Sequence, residues 1–294
     1  MTSDLVGSDP VQDLRFEFAA EAERLIKSRQ QTLIHLAAEK TAVIDKIAAT
    51  LSAQGPYVYT KTPGPENTLY YTQEYAKSAE GIREAYVEQG EMFFLIDLPP
   101  VNEIVSSWYT FYHAWATLER ADSGEREQYE AVVAFPTMGG TGITGELSLT
   151  RRVDPSGTGG QVDGTTLQAR SVILAEEEAR LGALRRSDAP AVAAGLSGRV
   201  QMGLRDLRGG GEYIDLHSRD EALEYFTGVF EEYSVSRLEV LERYVADWFV
   251  FSELLWELTP RHGGSTVSFR SFQFSDLTAD SKVFAQVGYA TPSW

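Results

Sequence analysis

The sequence predicts an α+β protein made of two similar halves joined in tandem. Each half begins with residues whose apolar side chains recur every three to four positions, the pattern of an amphipathic helix. Each half then continues into stretches of alternating apolar and polar residues, the pattern of antiparallel strands. The order of these elements is the same in both halves, which indicates an internal repeat of one fold.

The first half opens with three helical patterns and closes with strands. The helical patterns run through Phe18–Leu36, Val43–Leu51 and Tyr75–Tyr86, and Gly55-Pro56 ends the second of them. Strands are predicted at 57–61, 91–98, 103–120, 128–135 and 143–151. The last strand alternates most clearly: residues 143, 145, 147 and 149 are apolar or glycine, whereas 144, 146, 148 and 150 are polar.

The second half repeats this order. A helix is predicted around 174–184, a short one at 190–196, and a third after Ser218, which forms a capping box with Glu221. Strands are predicted at 199–206, 212–216, 236–246, 248–259, 267–274 and 282–289. Residues 151–166 are rich in Gly, Asp, Thr and Ser and are interpreted as a linker. The predicted modules are therefore 14–150 and 167–294.

The two halves match best in one aromatic strand of each. Residues 106–118 align with residues 246–258, and this alignment pairs Trp108 with Trp248 and Phe111 with Phe251, each 140 positions apart. The matching order of elements supports the repeat more strongly than these few identities.

Composition excludes several classes of function. The chain has 294 residues, 43% of them hydrophobic, and a formal net charge of −17, so we expect an acidic globular protein. A pI near 4.7 disfavours binding to nucleic acid or anionic membranes, because both are bound through Lys and Arg. The absence of cysteine excludes disulfides, thiolate nucleophiles and iron–sulfur clusters. With no apolar run of 18 residues and no secretory signal, a cytoplasmic location is expected.

The order of elements resembles the nuclear transport factor 2-like superfamily, which includes ketosteroid isomerases, scytalone dehydratase, limonene epoxide hydrolase and SnoaL-like polyketide cyclases. Residues 217–226 (HSRDEALEYF) look like the start of the family's third helix, and residues 268–274 and 282–289 look like its closing strands. The resemblance implies two cone-shaped modules, each with three helices packed on a curled antiparallel sheet and open to substrate at one end. The first half departs from the family by its longer first helix and its longer segment between Tyr59 and Tyr75.

Ionisable residues on the two aromatic strands are candidate site residues. His113 shares one strand face with Tyr109, Phe111 and Trp115, and Glu253 occupies the equivalent place in the second half. A buried ionisable group is costly unless it is paired or serves chemistry. We therefore predict His113 as a catalytic residue and the other four as substrate contacts. A satisfied core histidine is the alternative, and either face of these apolar strands could meet the cavity.

Further candidates follow from the position of residues in the predicted cone. Tyr59 and Lys61 are predicted as an acid–base pair, because burial lowers the pKa of a lysine. Asp206 falls near the place where ketosteroid isomerases carry their base, although a surface ion pair is the alternative. Arg29 is predicted to meet an anionic group of the substrate, unless it extends to the surface. Tyr57 and Tyr71 suit an aromatic ligand.

Two sequence patterns are interpreted as non-functional. No two histidines lie three or four residues apart, and we assign none of them a metal spacing with carboxylates, so neither a metal nor a cofactor is expected. The run 140–145 fits G-x-G-x-x-G, but a strand follows it instead of the helix that a dinucleotide site requires. We interpret this run as a hairpin loop.

The sequence thus favours a cofactor-independent lyase or isomerase that uses acid–base chemistry on a hydrophobic, phenolic small molecule. The superfamily that the sequence resembles also includes sphingomonad diarylpropane lyases, which release formaldehyde from lignin-derived dimers. The alternatives are a non-catalytic binder of an aromatic molecule, a polyketide-cyclase-like or hydratase-like enzyme, and a scaffold whose cones are filled by side chains. The expected partner is an aromatic small molecule, and a homo-oligomer is compatible with this interpretation.

Overall fold

Two curled six-stranded sheets, each covered on one side by helices, form the computed structural model of this chain. The structure describes residues 10–59, 78–137, 142–152, 167–208 and 212–291; for residues 10–18 and 152 it describes the backbone. The predicted α+β class with two cone-shaped modules is confirmed. Of the predicted linker, residues 153–166 lie outside the described ranges.

The first half contains three helices and one mixed sheet. Ser78 caps the third helix, since its Oγ accepts a hydrogen bond from the Gly81 N–H at 3.0 Å. The helices are α1 (Pro10–Glu39), α2 (Ile44–Ala48) and α3 (Ala79–Met92). The strands are β1 (Val58–Tyr59), β2 (Phe93–Asp97), β3 (Pro100–Val105), β4 (Tyr109–Arg120), β5 (Arg126–Pro136) and β6 (Gly145–Arg152).

The strand order in this sheet is β1-β6-β5-β4, and β2 and β3 both pair with β4. The sequence predicted one strand over 103–120, whereas the structure has two. A tight turn divides them, with the Ser106 N–H donating to the Tyr109 carbonyl at 2.9 Å. The apolar run continues through this turn because Trp108 is buried there, so hydrophobicity alone does not reveal the break.

The second half has a similar order of helices and strands. Its helices are α4 (Arg170–Arg185), α5 (Ala189–Ala194) and α6 (Arg219–Glu232), and its strands are β7 (Leu196–Arg205), β8 (Tyr213–Leu216), β9 (Tyr233–Val245), β10 (Phe249–Pro260), β11 (Val267–Leu277) and β12 (Val283–Ala290). Ser218 caps α6 as predicted, accepting from the Glu221 N–H at 3.2 Å. The sheet order is β8-β7-β12-β11-β10-β9. Among the described helices, none is both long and apolar enough to cross a membrane.

The two sheets pack against each other through the faces that point away from their helices. Odd-numbered residues of β4, including Phe111, face the second sheet, while even-numbered residues such as Ala116 face the helices of the first half. Phe111 stacks on its repeat equivalent Phe251, with ring centroids 4.2 Å apart. This shared aromatic core contains buried side chains from both halves.

Two buried carboxylates complete the contact between the sheets, and each accepts a bond from the other half's tryptophan. The Trp248 indole N–H donates to Glu130 at 2.9 Å, and the Trp108 indole N–H donates to Glu253 at 3.1 Å. Glu130 also pairs with His113 at 2.6 Å and with Arg151, whereas Glu253 faces Arg270 at 3.3 Å. The tryptophans therefore join the two halves through desolvated, charge-assisted hydrogen bonds.

Glu130 is the strongest ionic anchor in this contact. Burial by itself would raise its pKa, but the hydrogen bond from His113, together with Arg151 and Trp248, lowers the pKa to about 2. A carboxylate whose pKa is lower in the folded state than in the unfolded state contributes stability at neutral pH. That contribution decreases as the pH falls from about 4.5 towards 2.

We expect Glu130→Gln to lower the free energy of unfolding at pH 6 by about 3 kcal/mol, because the favourable ionised state is lost. The difference from the wild type should shrink as the pH falls from 4.5 to 2, as measured by urea denaturation at each pH. Glu119→Gln is the control, since Glu119 forms a partly exposed pair with Arg126 and should change stability by at most about 1 kcal/mol. A difference for Glu130→Gln that is independent of pH would contradict this assignment.

The glycine run interpreted as a hairpin loop lies between β5 and its antiparallel neighbour β6, and residues 140–141 of it are not described. Gly145 is required by the close approach of β1, which pairs with β6 in parallel. A Cβ at position 145 would lie 1.7 Å from the Val58 carbonyl oxygen. Glycine therefore lets β1, which carries Tyr59, reach the edge of the sheet.

Gly145→Ala should push β1 away from β6 and lower the free energy of unfolding by about 1–3 kcal/mol, the usual cost of overpacking. Gly198→Ala in β7 is the matched control, because a Cβ there meets no atom within 4 Å, and should stay within about 0.5 kcal/mol of the wild type. Urea denaturation of the two variants provides the measurement. Equal stability of both variants would contradict the close approach.

Candidate active site

A partly open hollow with a cavity volume of ≈ 70 Å³ lies between the helices and the sheet of the first half. Its wall is mostly apolar, and five polar side chains from three elements reach it: Glu39 of α1, Gln89 of α3, and Glu146, Ser148 and Thr150 of β6. The apolar wall is formed by Met92, Phe93, Leu95, Leu98, Ala116, Leu118, Tyr129, Ala131 and Val133. A concave apolar site with a few convergent polar groups is the usual form of a small-molecule site.

A continuous hydrogen-bonded chain leads from the hollow into the core. Glu146 Oε2 accepts from the Tyr86 hydroxyl at 2.8 Å, and the same hydroxyl lies 2.8 Å from His35 Nε2. On the other side of the ring, His35 Nδ1 lies 2.6 Å from Thr50 Oγ1. His35 and Tyr86 are 0% and 3% exposed, so these bonds form away from water and are correspondingly strong.

Two carboxyl groups meet beside the hollow. Burial, the negative charge of Glu39 and a hydrogen bond to Glu39 together raise the pKa of Glu146 well above its ordinary value, although the Tyr86 hydroxyl opposes this. Like charges this close do not both ionise readily. The protonated form of Glu146 is therefore favoured, and it can act as an acid beside the second carboxyl group.

Tyr59 and Gln89 form a second polar contact next to this pair. The Tyr59 hydroxyl donates to Gln89 Oε1, and its ring packs edge-on against Tyr86 with centroids 5.1 Å apart. Burial, together with the charges of Glu146 and Glu39, raises the pKa of Tyr59 well above its ordinary value. Tyr59 therefore stays protonated and donates to the Oε1 atom of Gln89. The amide N–H groups of Gln89 remain as donors for another hydrogen-bond partner.

Sequence patterns did not indicate five polar residues near the hollow: His35, Glu39, Tyr86, Gln89 and Glu146. Two signals were available: Glu39 follows His35 by four residues, which places both on one helix face, and Glu146 lies on the polar side of the alternating strand β6. That polar side faces the hollow and the apolar side faces the second sheet. The ligand atoms of His35, Glu39 and Glu146 lie within 4.8 Å of one another, a spacing that could hold a metal ion. The expectation of no metal stays a prediction.

The structure places five of the predicted site residues away from the hollow, on the face of β4 and β10 that meets the other sheet or solvent. His113 bonds to Glu130 at 2.6 Å and to the Tyr244 hydroxyl at 3.0 Å. Glu253 accepts from the Tyr109 hydroxyl at 2.8 Å, and Phe111 lies in the aromatic core. Trp115, on the same face, is 40% exposed. The satisfied-core alternative therefore describes His113, since both of its ring nitrogens have partners.

The remaining predicted residues are dispersed. Asp206, in the second half, pairs with Arg208 at 3.0 Å and accepts a hydrogen bond from the Tyr225 hydroxyl at 3.2 Å. Arg29 is half-exposed and pairs with Glu103 at 2.9 Å. Tyr57 donates to the Ser52 carbonyl at 2.6 Å and packs beside Tyr59. Lys61 and Tyr71 lie outside the described residues.

The second half lacks the polar groups of the first at matching positions. The pairing of β12 with β11 and β7 places Gln286 where the first half has Glu146, and Met202 where it has Tyr59. The equally spaced third helices place Phe226 opposite Tyr86 and Val229 opposite Gln89. The buried Glu177 and Arg180 of this half neutralise each other at 2.5 Å. Its hollow is also smaller, with a cavity volume of ≈ 30 Å³.

No protein-family model matches this chain, and no curated protein matches it. It is similar to several solved structures, each of which covers about two fifths of its length. A ketosteroid isomerase-like protein from Erwinia carotovora atroseptica is 20% identical over 41% of this chain and 94% of its own, with a TM-score of 0.33. An LEH-like epoxide hydrolase from M. tuberculosis is 16% identical over 41% and 84%, with a TM-score of 0.34. A protein with a ketosteroid isomerase-like fold from Catenulispora acidiphila is 10% identical over 39% and 83%, with a TM-score of 0.34.

Proposed function

We propose that the first half is a cofactor-independent acid–base enzyme that acts on an aromatic, phenolic small molecule by isomerisation or elimination. The observation that carries this proposal is the pair Glu39–Glu146, two hydrogen-bonded carboxyl groups beside a mostly apolar hollow. An acid and a base held together in an apolar site can donate and accept protons at the same substrate.

In an isomerisation, the ionised carboxylate removes a proton from the carbon next to a carbonyl group. The electron pair moves to the carbonyl oxygen, which an amide N–H of Gln89 can meet, and the proton returns at another carbon. In an elimination, the carboxylate removes a carbon-bound proton while the carbon–oxygen bond breaks. The protonated carboxyl then gives its proton to the departing oxygen.

The first test measures proton removal from carbon directly. We expect the protein to accelerate the exchange of the α-protons of 2-tetralone for deuterium in D₂O, followed by proton NMR. Glu146→Gln should slow this exchange by about 100-fold or more, the usual contribution of a general acid or base. The control is Glu103→Gln, which removes a surface partner of Arg29 and should retain the wild-type rate.

Three outcomes would contradict the proposal. Wild-type exchange by Glu146→Gln would show that the carboxyl pair is not the base. Thermal stabilisation by 2-naphthol or 2-tetralone without any exchange would favour the non-catalytic binder. Loss of exchange in EDTA with recovery in Zn²⁺ would assign His35, Glu39 and Glu146 to a metal and exclude a cofactor-independent reaction.

A further inference from the structure

The hydrogen bonds of His35 determine where its protons can be. Thr50 has a single hydroxyl proton, which it donates to the Ile47 carbonyl at 2.6 Å. Its oxygen must therefore accept from His35 Nδ1, 2.6 Å away, so Nδ1 carries a proton. This leaves Nε2, on the opposite side of the ring, as the atom whose protonation can change.

Tyr86 cannot donate to both of its neighbours. Its hydroxyl lies 2.8 Å from His35 Nε2 and 2.8 Å from Glu146 Oε2, but it has only one proton. If Tyr86 donates to Glu146, then Nε2 must donate to the tyrosine oxygen, and His35 is a cation. If Tyr86 donates to His35, then Glu146 must donate to the tyrosine oxygen, and both end groups are neutral. The two arrangements contain the same number of protons.

We propose that Tyr86 relays a proton between Glu146 at the hollow and His35 behind it. In one direction the Glu146 O–H bond breaks as a bond forms to the tyrosine oxygen, while the Tyr86 O–H bond breaks as the His35 Nε2–H bond forms. The reverse shift restores the first arrangement. This inference rests on the proposed function, because it explains how Glu146 becomes available as a base without giving its proton to water.

Besides Tyr86, two carboxyl groups, one aromatic ring and one hydroxyl group surround His35. Glu39 Oε1 lies 3.5 Å from Nε2 on the same helix, and Glu146 lies beyond Tyr86 on β6. Phe135 of β5 contacts the ring with centroids 5.6 Å apart and carries no charge. On the other side of the ring, Thr50 is the hydrogen-bond partner of His35 Nδ1. His35 and Tyr86 are thus positioning residues that act through Glu146.

The second half supplies a natural comparison. Phe226 stands at the place of Tyr86 and Gln286 at the place of Glu146. Neither side chain can pass on a proton, since phenylalanine has no hydroxyl group and an amide does not titrate. The groups required for the relay are therefore confined, among the described residues of these matching elements, to the half with the larger hollow.

The test observes His35 by ¹⁵N NMR at pH 7, with its signals assigned by their loss in His35→Gln. In the wild type, exchange between the two arrangements should place the Nε2 signal between its protonated and its pyridine-like positions. Glu146→Gln replaces the carboxyl group with an amide that can neither release nor take up a proton, so the cationic arrangement loses its carboxylate partner and Nε2 should shift to the unprotonated, pyridine-like position. In the Tyr86→Phe background, Glu146→Gln should cause less than a third of this shift. Glu103→Gln is the control that should leave His35 unchanged.

An identical His35 spectrum in wild type and Glu146→Gln would overturn the relay, and this pair of proteins suffices if Tyr86→Phe fails to fold. An undiminished shift in the Tyr86→Phe background would also overturn it, since the coupling would then bypass the tyrosine. A shift of His35 on adding Zn²⁺ together with no effect of Glu146→Gln in metal-free protein would assign the cluster to a metal instead. Because these spectra need no substrate, failure of the relay is distinguishable from failure of the proposed activity.

Discussion

The packing of the two sheets against each other decides which face of each strand can form a site. In an antiparallel sheet successive side chains point to opposite faces. Once Phe111 and Phe251 stack in the shared core, their neighbours on the same face are committed to the contact between the halves. His113 and Glu253 therefore serve as anchors for Trp248 and Trp108, through Glu130 in the first case. The opposite face is left to enclose the hollow.

The repeat has kept its architecture while its chemistry has diverged. Matching positions of the contact carry opposite charge patterns: His113 pairs with Glu130 in the first half, whereas Glu253 faces Arg270 in the second. Each half thus contributes one ion pair to the contact, but the acidic and basic residues have exchanged positions between the two halves. On the helix side the divergence is greater, because polar groups that converge in the first half are replaced by apolar or neutral ones in the second. A duplicated fold can keep one active site and use its other half as support.

Sequence patterns predicted the two halves, most helices and strands and the capping of α6 by Ser218, because periodicity and capping are local properties. These patterns could not predict which face of β4 meets the helices, because both faces are apolar. The orientation of β4 depends on the partner sheet, and for this reason His113, which lies on the face away from the hollow, was predicted as a catalytic residue. The polar side of β6 was visible in the sequence, but polar residues on a strand usually face solvent. Glu146 faces the hollow instead. The convergence of His35, Tyr86 and Glu146 joins three distant elements, which no local pattern encodes.

Methyl NMR of the adjacent residues Val132 and Val133 tests the central claim most directly, because they lie on opposite faces of β5. Val133 lines the hollow and Val132 lies between the sheets. On titration with 2-naphthol, the methyl signals of Val133 and Leu118 should shift and reach saturation. The methyl signals of Val132 and Leu149 should shift by only a small fraction of that amount. Saturable shifts centred on Val132 and Leu149, with Val133 unaffected, would place the ligand between the sheets and contradict this account.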